Sequence, residues 1–125
     1  MKIKTTDLMP PALNWAVATC LGHHEWENYG SYIRIHLPDH KQSGYTLAFC
    51  PSTDWAQGGP IIEREGMQLQ MEDIGEWHAT MWWDDGEGQR EVVMQAATPL
   101  IAAMRCYVAS KLGEEVDVPD ELITK

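Results

Sequence analysis

Between positions 50 and 65 the chain reads Cys50-Pro51-Ser52-Thr53-Asp54-Trp55-Ala56-Gln57-Gly58-Gly59-Pro60-Ile61-Ile62-Glu63-Arg64-Glu65. Each proline fixes φ and lacks a backbone donor, and each glycine loses more conformational freedom on ordering than any other residue. The run therefore predicts a loop over residues 50–59, then a short strand or a single helical turn over residues 61–65. Turn chemistry around an exposed or plugged indole leaves two uses for such a loop, a structural plug or a binding surface.

The flanking sequence supplies regular elements. Residues 1–5 alternate apolar and polar, as a short strand does. Asp7 can cap a helix whose first turn holds Pro10 and Pro11. Leu13, Ala16, Val17, Cys20 and Leu21 then share one face, Trp15 lies on the other, and Gly22 stops the helix. Residues 32–37 and 45–49 predict a hairpin about a turn at 38–44. Residues 67–71 alternate, although Leu69, Met71 and Ile74 also fit helical spacing. Residues 77–83 predict a strand, 84–88 a turn, and 91–94 a return strand. The clearest helix starts with Thr98 as cap and Pro99 at its first position, carries Leu100, Ile101, Met104, Val108 and Leu112 on one face, and ends with Lys111 and Gly113. Val116, Val118 and Leu122 are expected to dock the acidic segment 114–125. Two helices and several strands without a βαβ rhythm predict one α+β domain over residues 1–125, an antiparallel sheet with two main helices packed on one face.

Charge narrows the partners. Nineteen acidic against nine basic residues give a net charge of −10, which argues against nucleic-acid binding through phosphate neutralisation and against an anionic membrane surface. No apolar run approaches the ~18 residues of a membrane span. Cys20, Cys50 and Cys106 are far apart without a Cys-x-x-Cys, and residues 1–4 carry no apolar leader, so reduced thiols in a cytoplasm are expected. Six Trp and four Tyr against one Phe favour half-buried contact sites, because indole and phenol pair an apolar body with a polar handle.

Signatures of chemistry are sparse. His23 and His24 are adjacent, and Cys20 with His23 finds no second pair at zinc spacing, so no metal or other cofactor is expected. There is no Gly-x-Ser-x-Gly elbow, and Ser52 and Thr53 suit backbone capping. Gly58-Gly59 can form an anion nest but lacks a following Gly-Lys-Ser/Thr, so a tight turn is the favoured reading. The chain has only four arginines, Arg34, Arg64, Arg90 and Arg105. A Glu63–Arg105 or Asp54–Arg64 pair is expected to pin the loop to the last helix. The alternative use of these arginines is a fork on a ligand anion, with Trp55, Trp82 or Trp83 as stacking planes. Successive strand residues face opposite ways, so only one of Trp82 and Trp83 is expected at a given site.

Three segments together resemble the NinX-like family of lambdoid phages and prophages. They are residues 1–5 with Leu13-Asn14-Trp15-Ala16-Val17-Ala18, the run from Pro51 to Glu65, and Thr98-Pro99-Leu100-Ile101-Ala102-Ala103-Met104-Arg105. Met9-Pro10-Pro11 departs from the Thr-Gly-like helix entry expected there. The resemblance implies a phage or prophage origin and a bacterial cytoplasm, and it transfers no catalytic residue.

The sequence thus predicts a non-enzymatic binding module for a small anionic, nucleotide-like ligand or a host protein, with Asp54, Trp55, Gly58, Gly59, Glu63, Arg64 and Arg105 as the candidate site. Two alternatives stand beside it. One is a small-substrate hydrolase with Asp54 or Glu63 as base, and the other is a homo-oligomeric subunit joined through its tryptophans.

Overall fold

The computed structural model describes residues 1–36 and 46–123. Its centre is helix α3, Pro99–Leu112. The Thr98 hydroxyl oxygen accepts from the Ile101 amide at 3.2 Å, satisfying one of the donors that a helix start leaves unpaired. Residues 100–108 are all buried, so this helix is enclosed on every side rather than on one apolar stripe.

Helix α1, Ala12–Cys20, packs on α3 and contributes Leu13, Ala16 and Val17 to the core. Its start differs from the expected one. Pro11 occupies the cap position without a side-chain cap bond, and Asp7 belongs to a separate 3-10 turn, Thr5–Asp7.

Among the described residues eight strands form three antiparallel sheets. β1 (Lys2–Lys4) pairs with β8 (Glu115–Asp117), placing Ile3 opposite Val116. β2 (Trp26–Asn28), β3 (Ile33–His36) and β4 (Thr46–Phe49) form a second sheet. The expected hairpin pairing is therefore present, and its turn at 38–44 lies outside the described residues. β5 (Gln68–Asp73), β6 (Glu76–Asp84) and β7 (Gln89–Ala96) form the third sheet, whose Ala79, Met81 and Met94 join the buried cluster with α3. Residues 68–71 thus lie in a strand, with Met67 just before it. Val116, Val118 and Leu122 are buried as expected. The α+β class stands, with the antiparallel pairing spread over three sheets and with a third helix added.

That third helix is the main departure from the sequence expectation. α2 spans Trp55–Glu65 and contains Gly58, Gly59 and Pro60, where a loop followed by a short strand or one helical turn was expected. Local propensity opposes it by roughly 1 kcal/mol per glycine and 3 kcal/mol for the proline. Three features offset this. Asp54 caps the start by accepting from the Ala56 amide at 3.0 Å, and Gly66 closes the end in the left-handed conformation at φ 64°. Gly59 has no β-carbon to collide with the following proline ring. Tertiary contacts complete the account, because Ile61 is buried and Gln57 ties the helix to β4. The Gln57 amide donates to the Ala48 carbonyl at 2.8 Å, and its Oε1 accepts from the Cys50 amide at 2.7 Å.

Candidate functional site

The preceding turn fixes where α2 begins. The Thr53 and Asp54 amides both donate to the Cys50 carbonyl, at 3.1 and 2.9 Å. Asn14 on α1, itself buried, accepts from the Ser52 amide at 3.1 Å and from its hydroxyl at 2.7 Å. A polar side chain in the core thus anchors the Pro-Ser-Thr-Asp turn from below, with both partners satisfied.

From that anchor α2 runs alongside α3 in the same direction. Near its start Gly58 faces Leu100, and near its end Arg64 reaches Tyr107. The Gly58 approach is so close that a β-carbon there would collide with the Pro51 carbonyl oxygen and lie 2.6 Å from Leu100 Cδ2. Gly58 is therefore neither a loop hinge nor an anion nest. It is the contact that lets two helices and a turn meet.

These placements separate the residues that the sequence grouped together. Asp54 is occupied as a helix cap. Trp55 is 54% exposed and lines a recess of about 240 Å³ with Ser52, Thr53, Pro99 and Ile101. Arg64 lies nine residues on, about 14 Å along the helix at ~1.5 Å per residue. Glu63 is exposed. Neither expected ion pair forms. Arg64 Nε meets the adjacent Glu65 at 3.3 Å instead of Asp54. Arg105 lies away from Glu63, 9% exposed, donating to the Leu8 carbonyl at 2.9 Å and the Gln95 carbonyl at 2.7 Å. Burial pushes the Arg105 pKa below its usual value, and its fork joins the entry to α1 with the end of β7. It is an internal brace, not a ligand fork.

The structure brings a different set together. A cleft of about 390 Å³ is lined by Arg64 and Glu65 from α2, Met81, Trp82, Trp83 and Asp84 from β6, and Ser110 and Lys111 from α3. Tyr107 lies beneath two of these side chains. The Arg64 guanidinium carbon stands 5.9 Å from its ring centroid and the Lys111 ammonium 6.0 Å. The Tyr107 hydroxyl accepts from Arg64 Nη2 at 3.4 Å. Burial raises the Tyr107 pKa, and the Arg64 charge opposes that rise. Both cations thus rest against the negative face of one ring, which orients them without neutralising them.

Trp82 and Trp83 both line this cleft, where only one was expected. Trp83 shares the inward face with Ala79 and Met81, and Trp82 points outward, its indole N–H donating to Glu91 at 2.7 Å. Their opposed directions are reconciled because the cleft runs along the edge of β6 and touches both faces.

Tyr107, Ser110 and Lys111 are the site residues missed by sequence reasoning. Tyr107 and Lys111 stand four apart on a correctly predicted helix, so they share a face. That spacing was the available signal. Among the described residues no group of three or more His, Cys, Asp and Glu side chains is placed to hold a metal ion. No helix among the described residues is long and apolar enough to cross a membrane.

Fold and cleft together define a small α+β protein with a cation-and-indole cleft at the junction of two parallel helices and a sheet edge. The chain belongs to the family described as Bacteriophage P22, NinX, whose model matches residues 4–111. That span includes α1, α2, the third sheet and every residue that lines the cleft. No curated protein matches the chain.

Proposed function

We propose that this protein is a phage accessory factor of the bacterial cytoplasm that acts by binding, not by bond-breaking, and that its working surface is the cleft between α2, α3 and β6. Its occupant is anionic, either a small nucleotide-like ligand or a segment of a host protein. The observation that carries this reading is the placement of Arg64 and Lys111 about the Tyr107 ring beside two indoles. In a chain of net charge −10, the cleft sets two cations against the Glu65 and Asp84 carboxylates, so it is balanced where the rest of the surface is acidic, and Lys111 makes no ion pair among the described residues. Planar indoles add a contact worth roughly 1–3 kcal/mol for each stacked base.

Less supports the hydrolase alternative. Asp54 is committed to the Ala56 amide, and Glu63 stands nine residues further along the same helix, so the two carboxylates do not converge on one substrate atom.

The test is calorimetric titration of the wild type, Arg64→Ala and Lys111→Ala with nucleoside phosphates, cyclic dinucleotides and acidic peptides. The expected result is binding by one class, weakened at least tenfold in both variants while thermal melting stays unchanged. Silence across every class, or binding indifferent to both substitutions, ends the proposal.

A further inference from the structure

We infer that β5 is a self-association surface, and that the partner it fits is a second copy of this chain, paired edge to edge about a two-fold axis at Gln70. The inference does not depend on what fills the cleft, and it starts from the edges of the sheets. β4 is tied along its edge by Gln57, which bonds the Ala48 carbonyl and the Cys50 amide. On β7 the Gln95 and Val92 carbonyls accept from Arg105 and Cys106 of α3. β5 is the outer strand on the other side of the third sheet. Among the described residues no main-chain group of residues 68–72 bonds outside the β5–β6 ladder.

In an antiparallel strand every second residue turns its N–H and C=O away from the neighbour it pairs with. Along β5 those groups are left without a strand, and an edge of that kind is a template for another chain. Lysine, proline or a bulge usually blunts it. β5 has neither lysine nor proline, and its one irregularity lies at the far end, between Met71 and Asp73. The segment Gln68-Leu69-Gln70-Met71 is regular and open.

The order of side chains selects a second copy. Leu69 packs against the core, and Met71 shares its face of the sheet while remaining 57% exposed. Gln68 and Gln70 occupy the opposite face. Glu72 joins them there, 3.9 Å from His78, the residue paired with Gln70 on β6. A two-fold axis perpendicular to the sheet reverses the strand and keeps the faces. With that axis at Gln70, Leu69 of each copy meets Met71 of the other and covers it. Gln70 meets Gln70, an amide pair that can donate and accept both ways. Gln68 meets Glu72, a donor opposite a carboxylate. No carboxylate directly opposes another, which matters in a chain of net charge −10, because like charges directly opposite destabilise a sheet. The alternation over residues 68–72 reads the same in both directions, so β5 is its own complement. The same register carries Ile74, 94% exposed at the β5–β6 turn, towards Met67 and Gly66 of the second copy.

So short a pairing buries far less than the ~800 Å² per partner of a standard interface, so the expected dimer is weak, with a dissociation constant on the order of 100 µM. Both copies are acidic, and association should strengthen as salt screens them.

Sedimentation equilibrium of the full-length protein from about 10 µM to about 1 mM, a range that brackets such an affinity, is the test. The wild type should pass from monomer to dimer. Gln70 is exposed, so Gln70→Lys and Gln70→Glu should leave the melting temperature of dilute protein unchanged. Each should weaken the dimer by about threefold or more, because each sets like charges across the axis. An equimolar mixture of the two variants should regain at least the wild-type affinity, since lysine then faces glutamate. A wild type that stays monomeric throughout would overturn the proposal and leave the edge to a foreign strand. A dimer indifferent to both variants would overturn it by placing the interface elsewhere. So would a dimer that both variants weaken and their mixture fails to restore.

Discussion

Gly58 on α2 sits against Leu100 on α3 at a separation that admits no side chain, since a β-carbon would stand 2.6 Å from Leu100 Cδ2 and collide with the Pro51 carbonyl oxygen. This contact sets how the two helices bracket the cleft. Gly58→Ala is expected to destabilise by about 1–3 kcal/mol despite its gain in helix propensity, as overpacking does. Gly59, whose β-carbon would meet nothing within 4 Å beyond its chain neighbours, should tolerate alanine far better. Urea unfolding of the two variants side by side measures the difference, and equal midpoints would refute it.

Arg105 is a buried cation held by carbonyls rather than a carboxylate. Arg105→Met removes the donors to Leu8 and Gln95, and we expect a loss of roughly 2–3 kcal/mol from two unmet buried acceptors. Arg105→Lys should recover only part of it, because an ammonium lacks the planar fork that reaches both oxygens. Chemical denaturation reads both effects.

Trp55→Ala should leave stability within about 0.5 kcal/mol, as surface substitutions generally do, because the indole is more than half exposed. It should also leave cleft binding unchanged, since Trp55 lines the other recess. A large drop in melting temperature, or loss of a ligand that Arg64→Ala also loses, would show that the two ends of α2 are coupled.

Thiol chemistry should follow burial. Burial pushes the Cys106 pKa to about 12 and the Cys20 pKa to about 11, so neither holds an appreciable thiolate at pH 8. Cys50, raised by burial and by the Asp54 charge, remains the most accessible to reagent. Alkylation at pH 8 followed by mass spectrometry should modify Cys50 first and Cys106 only at the rate of unfolding.

The β6–β7 turn should weaken in acid. Arg90 holds the Asp85 pKa below its ordinary 3.8. The folded turn therefore binds this proton less readily than the unfolded chain does. Its contribution is complete above pH 3.8 and fades as pH falls through the lower folded value. Side-chain carboxyl titration by NMR should place the Asp85 midpoint below 3.8, and Asp85→Asn should remove that part of the acid sensitivity.

Much of the architecture was readable because its signals are local. Thr98, Pro99 and Gly113 bound α3 by their own backbone chemistry, and strand-like runs marked β3, β4 and β6. Helix α2 was not readable. Gly-Gly-Pro opposes helix locally, and what overrides it is contact with Leu100, Ala48 and Cys50, all distant from the helix interior or outside it. The cap residues Asp54 and Gly66 were not read as such, because the composition between them opposes a helix. The candidate site suffered accordingly. Arg64 and Trp82 were identified as candidate residues, but grouping Arg64 with Trp55 and Arg105 assumed a loop pinned onto the last helix by ion pairs that do not form. Tyr107 and Lys111 join Arg64 only because α2 lies alongside α3, a relation no sequence window contains.

The pairing of β1 with β8 has a consequence for biosynthesis. Lys2 finds its partner at Asp117, so β1 stays unmatched during synthesis until β8 has also been made. Helix α1 and the third sheet can form before that pairing, which joins the strands most separated along the described residues and should come late in folding.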